Sequence, residues 1–238
     1  MNIVAIETAT ETIGVAVRSD NGTRAAFTLE GRRRHVEILV PAMEHLVAQV
    51  GLAVTDLHLV AVDLGPGLFT GLRVGVAAAK GLARSLGIGV VGLSSLEILA
   101  RAAAGSGHGG HVLAAVDARR GEVFATVRDG RAGDTGAGEL LGPGLFTPAA
   151  LADGLRALGG VPIVAVGDGA QRYAGVLRTV PGVSCVDDAL GAPPPLTLLA
   201  MAEERYDAGV APADPRSVVP LYMREADATR NFAQVTNS

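Results

Sequence analysis

The stretch DLGPGLFTGLRVGVAAAKGLA, Asp63–Ala83, has the outline of a phosphate-binding loop. An apolar, strand-like run ends in two glycines, and a helix-like run follows. The N-terminus of a helix attracts anions through its free N–H groups. A Walker A loop needs G-x-x-x-x-G-K-[ST]. Here Gly67 and Gly71 are separated by three residues instead of four, and Leu72 stands where lysine is needed. The dinucleotide fingerprint G-x-G-x-x-G fits Gly65 and Gly67 but meets Thr70 at its third glycine. Both standard motifs fail. Two readings stay open: an anion site, or a tight turn in which glycine supplies unusual dihedrals and Thr70 caps the helix.

Other reactive side chains are sparse. His35, His45 and His58 are scattered, and His108 and His111 lie in a glycine-rich stretch without a third ligand nearby, so no metal site is expected. Cys185 is the only cysteine, which excludes an internal disulfide and a cysteine-held zinc. No G-x-S-x-G nucleophile elbow occurs. Arg32–Arg34 suits either phosphate contacts or a solvated loop. In DARRGE, Asp117, Arg119 and Glu122 suit an ion-paired hairpin turn or a binding group.

The elements that must position these residues read as α/β. Asn2–Ile6, Thr12–Arg18 and Ala25–Leu29 are strand-like, and the polar turn ETATE joins the first two. A helix follows over Val36–Val50, with Pro41 either inside it or in its first turn. Leu57–Leu64 and Gly89–Leu93 read as buried strands, and Ser94 with Glu97 forms a capping box for a helix to about Ala104. AAGSGHGGH, Ala103–His111, is the expected boundary, dividing the chain into lobes 1–105 and 106–238.

The pattern then restarts. Val112–Asp117 and Glu122–Arg128 make a hairpin, and Asp129–Gly144 reads as a mobile loop. Thr147 with Pro148 caps a helix to about Leu158. Ile163–Val166, Gln171–Arg178, Ser184–Val186 and Leu196–Asp207 alternate strand and helix before an irregular tail from Ala211. GPGLFT occurs at Gly65–Thr70 and again at Gly142–Thr147, at different points of the two halves, which reads as local convergence on helix capping.

The helix after the glycine loop is apolar around most of its girth. Leu72, Gly75, Val76, Ala79, Leu82 and Ala83 form a stripe for the sheet. Small residues form a second stripe, and Arg73, Lys80 and Arg84 a charged ridge. Such a helix is packed on more than one side, either within the fold or against another molecule. The expected partner surface takes Gly71, Arg73, Val74, Ala77, Ala78 and Gly81 from this helix. The preceding helix adds Val36, Leu39, Val40, Met43 and Val47.

With 238 residues and 49% hydrophobic residues, the chain can bury a real core and is not a disordered segment. A net charge of −4 argues against a broad nucleic-acid surface. MNIVAIETAT lacks a basic n-region and carries Glu7 where a signal peptide is apolar, so a cytoplasmic location is expected.

The motifs together resemble one family. IVAIETATETIGVAV, RRRHVEILVPAMEHL, GPGLFTGLRVGVAAAKGLA, VVGLSSLEILA and VLAAVDARRGEVFATV follow one another, through Val127, as in the TsaB (YeaZ) family. That family supplies the non-catalytic subunit of the bacterial tRNA threonylcarbamoyladenosine machinery. The C-terminal half matches only in general pattern, and Glu7 stands where the family usually has Asp. The resemblance implies the actin/sugar-kinase/chaperone-ATPase (ASKHA) fold of two ribonuclease-H-like lobes. It implies a homodimer in isolation, the partners TsaD and TsaE, tRNA reached through the complex, and no cofactor of its own.

In kinases of that fold the turn holding Glu7, Thr8 and Thr10 carries an acid and phosphate-binding hydroxyls, so these are the cofactor-binding candidates; a plain polar turn is the competing reading. The catalytic relative TsaD has an H-x-x-x-H metal pair, matched here by Ser95 and Leu99, which cannot replace two imidazoles. No catalytic or metal residue is expected. Two function classes follow. One is a scaffold for N6-threonylcarbamoyladenosine formation at position 37 of tRNAs reading ANN codons. The other is an enzyme acting alone, a nucleotide-dependent phosphotransferase or a metallopeptidase.

Overall fold

In the computed structural model, which describes residues 1–31, 35–105, 110–129, 138–185 and 190–223, the chain builds the same sheet twice. The first sheet takes β1 (Ile3–Glu7), β2 (Thr12–Arg18), β3 (Arg24–Glu30), β4 (Leu59–Asp63) and β5 (Gly89–Leu93) in the order β3-β2-β1-β4-β5. β1–β2–β3 is an antiparallel meander, while β4 and β5 add in parallel. Their crossovers run through α1 (His35–Gln49) and α2 (Phe69–Leu86). After α3 (Ser95–Gly105), β6 (His111–Arg119), β7 (Glu122–Asp129), β8 (Glu139–Phe146), β9 (Ile163–Val166) and β10 (Val183–Cys185) repeat the plan as β10-β9-β6-β7-β8. β6 is the counterpart of β1. Two ribonuclease-H-like lobes of this topology are the ASKHA architecture that the resemblance implied.

Burial on both faces of the first sheet explains its near-continuous apolar strands. Val4, Ile6, Val60 and Val62 face α1 and α2; Ile3, Ala5, Leu59 and Ala61 face the other way. Pro41 lies inside α1 and removes one helix hydrogen bond, at a cost of about 3 kcal/mol. Leu39, Met43, Leu46 and Val47 on the same helix, and Val50 just beyond its end, are all buried, each contributing about 1.5–3 kcal/mol, so packing outweighs the proline.

The division expected at residue 105 is crossed in both directions. α3 puts Leu96, Leu99, Ala100 and Ala103 on the second sheet and Ile98 on the first. α7 (Pro195–Asp207), late in the chain, lays Leu198, Leu199, Met201 and Ala202 on the first sheet. The Ser94–Glu97 capping box forms as expected: Leu96 N–H donates to Ser94 Oγ, and Ser94 N–H to Glu97 Oε2, each at 3.3 Å. Thr147 likewise accepts from Ala150 N–H, at 3.2 Å, at the start of α4 (Pro148–Ala157).

Two expectations need correction. Part of the glycine-rich stretch expected to be a mobile loop is β8, with Phe146 opposite Val123 and Leu145 opposite Phe124. β8 is the outer strand of its sheet, where Pro143 and bulges are tolerated because one side needs no N–H donors. The single helix expected over Gln171–Arg178 is two short ones, α5 (Asp168–Arg172) and α6 (Ala174–Leu177), separated at Tyr173. The Tyr173 hydroxyl reaches back to the Glu122 carbonyl at 3.4 Å.

The irregular tail is a strap. Ala213 exchanges two backbone hydrogen bonds with Val90, at 2.8 and 3.1 Å, and so covers the edge of β5. The Lys80 ammonium on α2 donates to the carbonyls of Val218 (2.8 Å) and Arg216 (3.3 Å). Leu221 N–H donates to Leu64 O at 2.7 Å, and the Val218 side chain is buried in the α1/α2 core. Val218→Ala is expected to cost about 2 kcal/mol. In a urea titration the midpoint falls while the slope stays unchanged.

Candidate functional site

The side chains with chemical potential gather where β1, β4, β6 and β9 end. At the end of β1 the chain turns through Thr8, Ala9 and Thr10, all buried. The turn sits on the glycine loop. Thr8 Oγ1 donates to Gly71 O at 2.8 Å, and Leu68 N–H donates to Ala9 O at 2.6 Å. A Cβ on Gly67 would collide with Ala9 O, and one on Gly75 with Thr8 Oγ1. The glycines of the quoted loop therefore allow contact between two backbone segments. Thr70 does not cap α2. The helix starts at Phe69 with Leu68 at the cap position and no side-chain cap bond, and Thr70 is exposed in the first turn.

Glu7, Thr8 and Thr10 are thus brought together, but their polar atoms turn inward. Glu7 Oε1 accepts the Ala9 N–H at 2.7 Å, and Thr10 Oγ1 accepts the Thr12 N–H at 3.2 Å. Beside Glu7, Asp63 at the end of β4 accepts from Gly65 N–H and from the Ser95 hydroxyl, each at 2.7 Å. Burial, and then the Asp63 charge, hold the Glu7 carboxyl well above the usual carboxylate range. Burial pushes Asp63 up to about 7 against the hydrogen bonds from Ser95 and Gly65. Ser95, at the position matched to the first TsaD histidine, is a donor to Asp63, and Leu99 is a fully buried core residue.

In the second lobe, Asp117 receives its own turn: Oδ1 accepts Arg119 N–H at 2.9 Å, and Oδ2 pairs with Arg119 at 3.1 Å and Arg172 at 3.5 Å. Asp117 N–H donates to Asp168 Oδ1 at 2.9 Å. Burial raises Asp168 to about 6, with the Asp117 N–H opposing. Arg119 also joins the lobes, meeting Glu11 at 2.6 Å. Arg119 and Arg120 both have positive φ, 62° and 56°, a conformation that costs a non-glycine residue about 1–2 kcal/mol. Within DARRGE the expected ion pair forms between Asp117 and Arg119, and the Glu122 carbonyl accepts from the Tyr173 hydroxyl. The sequence reading missed Asp63, Asp168 and Glu11. The signal for the first two was an acid closing an apolar run, directly in LVAVD and after one glycine in VAVGD.

Four carboxyl groups, Glu7, Asp63, Asp117 and Asp168, converge here, and the nearest arginines are engaged by acids. Among the described residues no group of three or more His, Cys, Asp or Glu is arranged to hold a metal. His108 and Arg32–Arg34 lie outside the described residues. No helix among the described residues is long and apolar enough to cross a membrane.

The expected partner surface divides. Leu39, Met43, Val47 and Gly71 are buried, the three larger side chains in the sheet-facing core, so they are not open to a partner. Their helical spacing was that of the core stripe. Val40 is 44% exposed, Arg73, Ala77 and Gly81 are exposed, and Val74 and Ala78 are half-buried. The Val36 side chain lies outside the described residues. Arg73 is held in place: its guanidinium lies 3.8 Å over the Phe69 ring, and its Nε donates to the Tyr222 hydroxyl at 3.1 Å.

A family model described as TsaD: tRNA N6-adenosine threonylcarbamoyltransferase matches residues 29–154. TsaB of Escherichia coli is 39% identical over 124 residues, covering 52% of this chain and 53% of that protein. The chain belongs to this family, in its TsaB/YeaZ branch. An uncharacterised protein of Mycobacterium tuberculosis is 34% identical over 230 residues, 95% of this chain and 93% of its own length. YeaZ from Pseudomonas aeruginosa superposes with a TM-score of 0.75 at 25% identity, covering 93% of this chain and 99% of that one. The chain spans about half the length of the curated TsaB relatives it matches, as the 53% share shows.

The seating of the turn on α2 generates a two-step expectation for the TsaB/YeaZ chain. Gly75→Ala forces a Cβ onto Thr8 Oγ1 and is expected to cost about 1–3 kcal/mol. Thr8→Ala in the same chain removes the obstructing hydroxyl. The double variant is then more stable in thermal unfolding than Gly75→Ala alone, a coupling that a double-mutant cycle reads directly.

Proposed function

We propose that the chain is a non-catalytic scaffold subunit in tRNA threonylcarbamoyladenosine formation, pairing with the catalytic TsaD and serving the ATPase TsaE. In isolation it forms a homodimer, and it meets tRNA only through the complex. The carrying observation is the contrast between the two sides of α2. On the inner side, Thr8–Thr10 fills the space above the glycine loop with the chain's own hydrogen bonds. On the outer side, Arg73, Ala77, Gly81 and Arg84 are exposed.

Several features support helix packing against a partner. A Cβ on Gly81 would meet nothing within 4 Å, so a neighbouring helix has room for close approach, with axes near the ~8 Å end of the usual range. α2 carries Arg73, Lys80 and Arg84 and no acid, whereas α1 exposes Glu37 and Glu44. A helix pair of the α1/α2 kind on the partner therefore meets complementary charge. Val40, Val74 and Ala78 supply the apolar contact.

The purified chain, mixed with tRNA, ATP and the threonylcarbamoyl precursors, is expected to modify no tRNA until TsaD is added; robust turnover by the chain alone overturns the scaffold reading. For the surface, Ala77→Glu places a charge at an exposed position that leaves the core untouched. It is expected to weaken self-association and TsaD binding by about 3 kcal/mol or more, on the order of 100-fold. Mass measurement of the chain alone and mixed with TsaD checks this, and unchanged masses reject the surface.

A further inference from the structure

β1 and β4 run parallel with Ile6 opposite Val62. One step further along each strand, Glu7 and Asp63 stand side by side on the same face of the sheet. Both carboxyl groups are fully buried. Each is half satisfied. Glu7 Oε1 holds the Ala9 N–H, and Asp63 Oδ1 holds Gly65 N–H and the Ser95 hydroxyl. The remaining oxygens, Glu7 Oε2 and Asp63 Oδ2, have no donor.

Two buried acceptors without donors, on adjacent carboxylates, are costly to leave so. Among the described residues the charged groups that act on the pair are acids, and the nearby arginines are paired elsewhere. Asp168 at the start of α5 acts on Glu7, and Glu97 on α3 acts on Asp63; both are acids. Arg119 on β6 and Arg172 on α5 are taken by Asp117, and Arg205 on α7 by Glu97. α7 approaches Glu7 from the Gly14 side through Pro195. α2 meets the turn after Glu7 through Gly71 and Gly75. A divalent ion needs more ligands than this pair gives.

We infer that Glu7 and Asp63 hold one proton between them, and that this shared proton locks the ends of β1 and β4 together beneath the turn that seats α2. A single hydrogen gives one orphan oxygen a donor role and the other a donor to accept from, and it removes one of two facing charges. The folded chain then keeps a proton that the unfolded chain, with ordinary carboxyls near about 4, gives up. The sign follows. The pair's contribution to stability is complete below about pH 4 and is lost as the pH rises through the raised values of its two carboxyls, first Asp63 at about 7 and then Glu7. Above that, two carboxylates face each other and the Thr8–Thr10 turn loses its footing on α2.

Carbon-13 NMR of the full chain labelled at glutamate and aspartate carboxyls tests this on the wild-type protein. At neutral pH one glutamate carboxyl is expected to resonate as a protonated acid, and Glu7→Gln is expected to abolish that signal. Glu7→Gln and Asp63→Asn keep acceptors for Ala9, Gly65 and Ser95, and each is expected to flatten the fall in melting temperature between mildly acidic and mildly alkaline pH. Two fully ionised carboxyls at neutral pH overturn the inference. So does an unchanged pH slope in both variants. So does a melting temperature raised by added magnesium or calcium and restored by a chelator, which puts a cation where the proton is placed.

Discussion

The contact between the Thr8–Thr10 turn and the glycines of α2 is the constraint on which the first lobe depends. The turn meets the loop and helix at glycines, where those segments carry no side chain. Gly67 and Gly75 have no Cβ, so Ala9 O and Thr8 Oγ1 can approach. Thr8 then ties the turn to Gly71 O. This contact fixes where α2 begins, which of its stripes faces the sheet, and which is left outward. It also engages the Thr8 and Thr10 hydroxyls within the chain. One packing event thus seats the turn on the glycine loop and turns one stripe of α2 outward.

The rest of the chain stabilises that arrangement from the side. α3 is buried between the sheets, and α7 returns from late in the chain to the first sheet. The strap over residues 210–223 covers the exposed edge of β5 and engages Lys80, one of the three basic residues on the outer ridge of α2. Arg73 is likewise positioned by Phe69 and Tyr222. The outward face of α2 is therefore made by the end of the chain as much as by the helix. The two lobes are joined by Arg119 and Glu11, and the acids near them are tied to neighbouring backbone.

Local signals located most elements. Apolar runs, the Ser94–Glu97 box and the Thr147–Pro148 start all correspond to what formed, because each acts over a few residues. The hexapeptide GPGLFT marks where such signals stop. At Gly65–Thr70 it is a loop with a cis Gly65–Pro66 peptide leading into α2; at Gly142–Thr147 it spans the end of an edge strand and the cap of α4. Only the second threonine caps. The difference lies outside the hexapeptide: in one place Ala9 presses on the central glycine, in the other β7 supplies a strand to pair with.

The same limit applies to the site. Leu39, Met43 and Val47 satisfied the spacing of a helix face, but spacing alone does not say whether that face meets the chain's own sheet or another molecule. Asp63 and Ser95, 32 positions apart, became partners only when β4 and α3 were placed. What the sequence by itself determined was the α/β alternation, the helix starts, the glycine positions, the lack of a phosphate-loop lysine and of a histidine pair, and the family. Those are properties of composition, short-range spacing and motif. What only the tertiary structure decided was that the glycines receive the chain's own turn, that two acids end side by side in a buried site, and which stripe of α2 faces outward. Each of these is set by contacts between segments far apart in the chain, which no local pattern encodes.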